Sequence, residues 1–215
     1  YGMVTQTAMF AGHSLVKLGR LVFGGWDLTS GNAYEAAIRN KVLDDKMLDP
    51  VKADVKKIRP MKGIVTSHDV DFLKTADNIK KVKGCRRQLA AIIKDIKDFK
   101  KKNRLNTVVL VFLASPLKCI KLGKIHKDIK SLKAAIAKND PGVTSGMLYA
   151  LAAIETDSPF IDFTPNLTLE VPALLDYAVA KKVPLAGQDG NTGQTMMKTL
   201  IGQMMKLKNF MLAVW

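Results

Sequence analysis

The chain has 215 residues, 47% of them hydrophobic, and can therefore bury a sizeable core without metal ions or disulfides. Its formal net charge of +15 suggests nucleic-acid binding, but no aromatic residues alternate with the lysines, so solvated helix faces explain them better. No apolar run approaches the roughly 18 residues that span a membrane, and the two cysteines show no zinc-site spacing, which favours a soluble cytoplasmic protein.

The N-terminal part combines a glycine-containing turn with a strand and a helix. Residues 2–7 precede an apolar helical stretch and resemble the end of a dinucleotide-binding turn. A short strand is predicted at residues 21–23 and a helix at residues 32–43. Asp27 follows the strand, where it could accept hydrogen bonds from a ribose, although an aspartate in this position is more often a helix N-cap.

Residues 45–84 form the least organised segment of the chain. Pro50, Pro60 and Gly63 interrupt it, so it holds at most two short helical pieces. Residues 63–66 are a weak strand candidate. We predict an irregular excursion over a sheet.

Helices and strands alternate after residue 84. Two apolar stripes at helical spacing predict amphipathic helices, with core positions Leu89, Ile92, Ile93, Ile96 and Phe99 in the first and Ile125, Ile129, Leu132 and Ile136 in the second. Residues 107–113 form a continuous apolar run, typical of a strand buried on both faces. Ala114 and Ser115 follow it, and their small side chains would let a flat cofactor lie against the strand end. Pro116 favours a plain turn equally well.

The last third of the chain continues the alternation. Helices are predicted at residues 145–155, 172–181 and 194–207, and strands at residues 160–163, 183–186 and 210–214. Pro172 suits the first turn of its helix. The whole pattern predicts an α/β fold with a largely parallel sheet and flanking helices.

The densest polar loop lies between a predicted strand and a predicted helix, at residues 187–195. It contains three glycines and two threonines, and Lys198 follows about one turn into the helix. Free backbone amides at a helix start attract anions, which favours a phosphate site over an ordinary loop with a threonine cap.

The histidines give no sign of a metal centre. His13 is expected beside a helix face, and His68 and His126 are expected to be exposed. No metal site, paired carboxylates, catalytic triad or Walker motif is predicted.

The order of these motifs resembles that of the myo-inositol-1-phosphate synthase family. Residues 23–27 are similar to the family's GGWD segment, and residues 32–37 to the helix after it. The lysine-rich helix and the following strand, at residues 89–103 and 108–115, also match. Residues 145–150 and 165–168 are similar to bacterial members, and residues 187–198 are similar to the signature loop. The resemblance covers most of the chain.

The resemblance implies a Rossmann-like fold, incomplete at both ends, with an inserted or second α+β region. It divides the chain into an NAD-binding region at residues 1–164, with 45–84 as an excursion, and the start of a catalytic region at residues 165–215. It implies an isomerase that converts D-glucose 6-phosphate to 1D-myo-inositol 3-phosphate by oxidation, enolisation, aldol closure and reduction. NAD is the implied cofactor, with a divalent metal or ammonium ion as a further requirement, and a homotetramer is the implied assembly.

The resemblance also implies roles for individual residues. Those near NAD would be Gly2, Val4, Asp27, Ala114, Ser115 and Asp189. Those at the substrate would be Thr192, Gly193, Gln194 and Thr195, and the implied catalytic residues are Asp189 and Lys198.

Three positions depart from the family pattern. Asn191 replaces a lysine, Pro116 replaces a threonine, and Asp162 stands where members commonly have asparagine. The family's main catalytic lysines and an NAD-binding Asp-Ser pair would lie beyond Trp215. Two alternatives are a basic nucleic-acid-binding or scaffold protein on an α/β fold, and a Rossmann dehydrogenase of another sugar phosphate.

Overall fold

The computed structural model of the protein describes residues 12–13, 15–41, 43–66, 76–114, 119–190 and 194–207. The chain divides into two compact units, Tyr1–Met61 and Lys62–Trp215. None of the helices in the described ranges has the length and apolar character needed to cross a bilayer.

The described residues of the first unit form short elements. In chain order they are a 3-10 turn at Leu18–Arg20, strand β1 (Trp26–Asp27), helix α1 (Ala33–Asn40), helix α2 (Asp45–Leu48), a 3-10 turn at Asp49–Val51 and helix α3 (Lys52–Val55). Strand β2 (Met61–Lys62) begins at the last residue of the unit, and the Met61 amide donates to the Gly25 carbonyl at 2.8 Å. Between residues 45 and 55 the chain forms three consecutive short helical pieces, where at most two were predicted, and the excursion of residues 45–84 over a sheet stays a prediction.

Helix α1 owes its limits to its two ends. The Asn32 side chain accepts a hydrogen bond from the Glu35 amide, and the Glu35 carboxylate accepts one from the Asn32 amide, each at 3.0 Å. Lys41 ends the helix in a left-handed conformation, with φ of 50°. The helix is therefore shorter than the predicted 32–43.

The predicted strand at residues 21–23 is wrong. These residues have no regular structure, and their side chains are between 43% and 75% exposed. A strand forms instead at Trp26 and Asp27, directly after Gly25, whose carbonyl accepts the Met61 amide.

The second unit contains a three-stranded parallel sheet. Its strands are β3 (Leu110–Phe112), β4 (Phe160–Asp162) and β5 (Leu185–Gly187), in that spatial order. Helices connect and follow them: α4 (Cys85–Lys102), α5 (Ile129–Lys138), α6 (Ser145–Glu155), α7 (Pro172–Lys181) and α8 (Gln194–Leu207). Parallel strands with helical connections confirm the α/β prediction.

Helix α6 is the centre of the core. Its residues from Ser145 to Ile154 are all buried, as expected for a helix that is apolar or small all round. It packs against α4, α7 and the sheet, where Tyr149 lies 5.8 Å from the Phe112 ring, centroid to centroid. The stripe positions Ile92 and Ile96 of α4 are also buried.

The prediction for strand β3 needs two corrections. The strand is three residues long rather than seven, and it is buried on one face only. Leu110 and Phe112 point into the core, whereas Val109, Val111 and Leu113 are 51%, 47% and 69% exposed. Helix α6 covers one face of the sheet, and the apolar sequence alone does not show this asymmetry.

The helix predictions in this unit were more accurate than the strand predictions. The three predicted helices α6, α7 and α8 have the predicted limits, and Pro172 opens α7. Strand β5 begins two residues later than predicted, and residues 63–66 contribute only an isolated bridge from Gly63 to Ile79. The predicted strand at 210–214 lies outside the described residues.

Candidate functional site

The carboxyl ends of the three parallel strands meet at one edge of the sheet. Phe112, Asp162 and Gly187 are register partners there. Ala114 follows β3 and is exposed, and Asp189 follows β5 and is half-buried. In open α/β sheets this edge is where ligands bind. The edge therefore brings together two of the residues predicted near the cofactor.

A tight turn follows strand β4 and is organised by Asp162. Its Oδ1 atom accepts hydrogen bonds from the Thr164 amide at 3.0 Å and from the Thr164 hydroxyl at 2.5 Å. The Asn166 side-chain amide donates to the same hydroxyl oxygen at 2.6 Å. A carboxylate that accepts the amide two residues later is a common way to fix a turn.

This turn binds the backbone of the loop after β5. The Asp189 amide donates to the Thr164 carbonyl at 3.0 Å, and the Gly190 amide donates to the Phe163 carbonyl at 3.3 Å. These two amides are therefore occupied and cannot bind a phosphate. The predicted free amides would have to come from residues after Gly190, of which 191–193 lie outside the described residues.

Two glycines let the loop approach the turn. A Cβ atom on Gly187 would lie 2.5 Å from the Asp162 carbonyl oxygen, and the residue has a φ of +142°. A Cβ atom on Gly190 would overlap the ring of Phe163. Asp189 between them is left-handed, with φ of 62°, a region that aspartate tolerates better than most residues. In the described residues these glycines serve close packing.

Asp162 is buried and only half satisfied. The side chain has no exposed surface, and its Oδ2 atom has no hydrogen-bond donor of ordinary geometry among the described residues. Burial raises the pKa of the carboxyl group above its ordinary value, although the hydrogen bonds from Thr164 and the proximity of the Thr168 hydroxyl act to lower it. Asp162 is therefore the most unusual titratable group at this edge.

A second contact ties the same loop to the segment before α7. The Gln188 side-chain amide donates to the Glu170 carboxylate at 2.9 Å, and this hydrogen bond is exposed to solvent. Exposed hydrogen bonds of this kind contribute little to stability. The buried Asp162 turn is the stronger tie.

The remaining predicted site residues fall into three groups. Asp27 belongs to the first unit, where its Oδ1 atom accepts the Thr29 amide and hydroxyl at 2.9 and 2.7 Å. Gln194, Thr195 and Lys198 lie in the first two turns of α8, and nothing is described of their side chains. The other predicted residues lie outside the described ranges: Gly2, Val4, Ser115, Thr192 and Gly193.

The prediction that His126 is exposed is wrong. The ring is 2% exposed, its Nδ1 atom accepts the Gly123 amide at 2.9 Å, and Nε2 lies 3.0 Å from the Gly142 carbonyl. Because a carbonyl oxygen only accepts, Nε2 carries the proton. His13 is exposed in a bend, and His68 lies outside the described residues.

Across the ranges that the structure describes, no group of three or more His, Cys, Asp or Glu side chains is placed to hold a metal ion. Asp162 and Thr164, in contrast, were not predicted as site residues. The Asp-x-Thr spacing could have indicated the turn, but nothing local in the sequence indicated its pairing with residues 189 and 190.

The parallel sheet, its helical connections and the polar loops at its carboxyl edge define a Rossmann-like α/β protein of the nucleotide-binding type. A family model described as myo-inositol-1-phosphate synthase matches residues 7–214, and the chain belongs to that family.

Relatives of known name agree with this assignment. The chain is 37% identical over 195 residues to inositol-3-phosphate synthase 1 of Bacteroides thetaiotaomicron, covering 90% of this chain and 45% of that protein. It is 34% identical to inositol-3-phosphate synthase 1 of Populus euphratica, covering 84% and 36%. A crystal structure of inositol-3-phosphate synthase from Caenorhabditis elegans matches with a TM-score of 0.80 at 25% identity, over 88% of this chain and 37% of that one. The chain thus spans less than half the length of these relatives.

Proposed function

We propose that this chain is the NAD-binding part, and the start of the catalytic part, of an isomerase that converts D-glucose 6-phosphate to 1D-myo-inositol 3-phosphate. The observation that carries the proposal is the family match over residues 7–214. The proposal assigns the cofactor region to residues 1–164 and the start of the substrate region to residues 165–215.

The carboxyl edge of the sheet suits a flat cofactor. Ala114 after β3 and Ala186 and Gly187 in β5 are exposed and small, so a ring could lie close to the backbone at these positions. We assign NAD contacts to Ala114, Ser115 and Asp189 here, and to Gly2, Val4 and Asp27 in the first unit. The bound cofactor would contribute hydride acceptance and return, so that the reaction has no net redox change.

The substrate phosphate is assigned to the start of helix α8. Thr192, Gly193, Gln194 and Thr195 lie at or just before the helix N-terminus, where the backbone carries a partial positive charge. Lys198 adds a full charge one turn later. Asp189 and Lys198 are the proposed catalytic residues, because a carboxylate and an ammonium group can move protons and stabilise an enolate or alkoxide.

We also propose a cellular location, an assembly and an ion requirement for the protein. A cytoplasmic homotetramer is the assembly that we expect, and a divalent metal or ammonium ion is an expected additional requirement. Gel filtration with light scattering would measure the mass, and activity after dialysis against a chelator would test the metal.

Cofactor and activity can be tested in one preparation. The purified full-length protein that contains this chain should contain NAD, released by heat or acid, and should form inositol phosphate from glucose 6-phosphate. Asp189→Ala should lower the turnover rate by about 100-fold or more, the usual loss for an acid-base group. Asp176→Ala is the matched control, because Asp176 is an exposed carboxylate on α7 without a proposed role.

Three results would contradict the proposal in different ways. If the purified full-length protein contained no NAD and formed no inositol phosphate, the proposed function would be wrong. Net accumulation of NADH from a sugar phosphate would indicate a dehydrogenase instead. Steeply salt-dependent binding to nucleic acid without NAD binding would favour a basic nucleic-acid-binding protein.

A further inference from the structure

We propose that Asp162 is a positioning residue that holds Asp189 in place through the Thr164 turn. The inference rests on the proposed function only in taking Asp189 to be catalytic. It concerns a residue that stands outside the predicted site and has a role of its own.

The chain of contacts from Asp162 to Asp189 is short. The Asp162 Oδ1 atom accepts both hydrogen bonds that Thr164 can donate, which fixes the direction of the Thr164 carbonyl. That carbonyl then accepts the Asp189 amide at 3.0 Å. One side-chain atom thus sets the acceptor for the backbone of the catalytic aspartate.

The surroundings of the turn leave the loop little freedom. The Gly187 backbone lies directly against the Asp162 carbonyl, closely enough that no side chain fits between them. The Gly190 amide is held by the Phe163 carbonyl, and the Phe163 ring occupies the space beside Gly190. The loop is therefore held on both sides of Asp189 by contacts with residues 162–164 alone. We call this set of contacts the clamp.

Only one of the two carboxylate oxygens takes part. Oδ1 accepts both hydrogen bonds, whereas Oδ2 has none of ordinary geometry within the described residues. An asparagine offers the same acceptor oxygen, and an alanine offers none. The positioning role therefore predicts that asparagine, but not alanine, replaces Asp162.

The first test measures the clamp directly, without reference to activity. Hydrogen exchange of the Asp189 and Gly190 amides should be slow in the wild-type protein. In Asp162→Ala it should become about tenfold faster, since a lost hydrogen bond of about 1.4 kcal/mol corresponds to that factor. In Asp162→Asn it should stay within about threefold of wild type.

The matched control is Asp128→Ala. Asp128 accepts the Ser131 amide at 2.9 Å and the Ser131 hydroxyl at 2.7 Å, so it makes the same pair of contacts at the start of α5. Its removal should lower overall stability by a similar amount without a selective effect on residues 189 and 190. If Asp162→Ala does not fold, Thr164→Val serves in its place, because it removes the hydroxyl donor and keeps the backbone acceptor.

The second test connects the clamp to catalysis. Asp162→Ala should lower kcat by about tenfold to 100-fold with a smaller change in KM, because misplacing a catalytic group by about 1 Å has effects of that size. Asp162→Asn should restore kcat. The Asp128→Ala variant should have wild-type kcat.

The outcomes separate the two proposals. If Asp189 and Gly190 exchange equally fast in wild type, Asp162→Ala and Asp162→Asn, the clamp does not exist and the inference is wrong. If exchange changes as expected but kcat of an active enzyme does not, Asp162 does not position a catalytic residue. If the wild-type protein neither binds NAD nor forms product, the proposed function fails, and the exchange data alone decide whether the clamp is real.

Discussion

Two turns of the second unit each bury a titratable side chain, and they differ in how completely it is satisfied. His126 uses both ring nitrogens, one to accept the Gly123 amide and one to donate to the Gly142 carbonyl. Asp162 uses one oxygen twice and leaves the other without an ordinary hydrogen bond among the described residues. A fully bonded buried group is explained by folding alone, whereas a half-bonded one costs free energy that folding does not require.

The largest effect is expected at the fully bonded turn. His126→Ala should lower the free energy of unfolding by about 3 kcal/mol, because it removes two hydrogen bonds and leaves a cavity where the buried ring lies. Urea denaturation measures the change, and exposed Lys127→Ala should stay within about 0.5 kcal/mol of wild type. An equally small effect at His126 would show that water replaces its two hydrogen bonds in the variant. The bonded state of His126 would then add little to stability, and the two turns would differ less than we propose.

The two turns also differ in how easily the atoms around a glycine can move. Gly187 lies beside the Asp162 turn and Gly142 beside the His126 turn. An added Cβ would meet the Asp162 carbonyl oxygen at 2.5 Å from Gly187, and the Ile125 Cδ1 atom at 2.6 Å from Gly142. The first obstacle is backbone and the glycine also has a positive φ, whereas the second is the end of a flexible side chain. We expect Gly187→Ala to cost about 2 kcal/mol and Gly142→Ala about 1 kcal/mol or less.

Thermal or urea unfolding of both variants checks this order. The Gly187 variant should in addition show faster amide exchange at Asp189, because its loop can no longer lie against β4. Equal costs at the two positions would mean that the Asp162 backbone yields as easily as a side chain.

The smallest effect concerns the pH dependence of stability. Burial raises the pKa of Asp162 in the folded state above its unfolded value, so folding favours the protonated form. The protonated Asp162 carboxyl group therefore contributes fully to the free energy of unfolding at pH values below the unfolded pKa of about 3.9. This contribution is lost as the pH rises through the pKa of the folded state. Asp162→Asn has no such loss.

The asparagine variant should therefore be more stable than wild type at pH 7, by about 1 kcal/mol or less, and the difference should shrink toward pH 3. Urea midpoints measured across this range provide the test. A difference that grows at low pH would mean that the ionised carboxylate is stabilised in the folded protein, and that Oδ2 has a donor after all.

The helices show what local patterns can predict. Helix α6 begins after Thr144, whose hydroxyl accepts the Met147 amide, and α7 begins with Pro172. Both signals lie within a few residues of the helix start, so the limits could be predicted without knowing the tertiary structure. The family resemblance could be recognised for the same reason, since it depends on the order of short motifs along the chain.

The strands and the buried polar groups show where such prediction ends. Whether Val111 faces solvent depends on which face of the sheet helix α6 covers, and the apolar run at 107–113 is the same in either case. His126 is buried because Gly142, sixteen residues away, supplies its acceptor. The sequence shows a histidine among lysines, which favours exposure.

The candidate site divides in the same manner. Residues 187–195 were identified from their glycines and threonines, and Asp189 does lie at the carboxyl edge of the sheet. The structure shows in addition that the glycines serve packing and that the Asp189 and Gly190 amides bind the Asp162 turn. Both features depend on contacts between strands that are about 25 residues apart in the sequence.

The sequence by itself determined the helices, the α/β class and the family, because helical spacing, caps and motif order are properties of neighbouring residues. The tertiary structure decided which face of the sheet is covered, that His126 is buried, and that Asp162 supports the Asp189 loop. These features depend on hydrogen bonds and packing between distant segments, whose partners no local pattern of residues specifies.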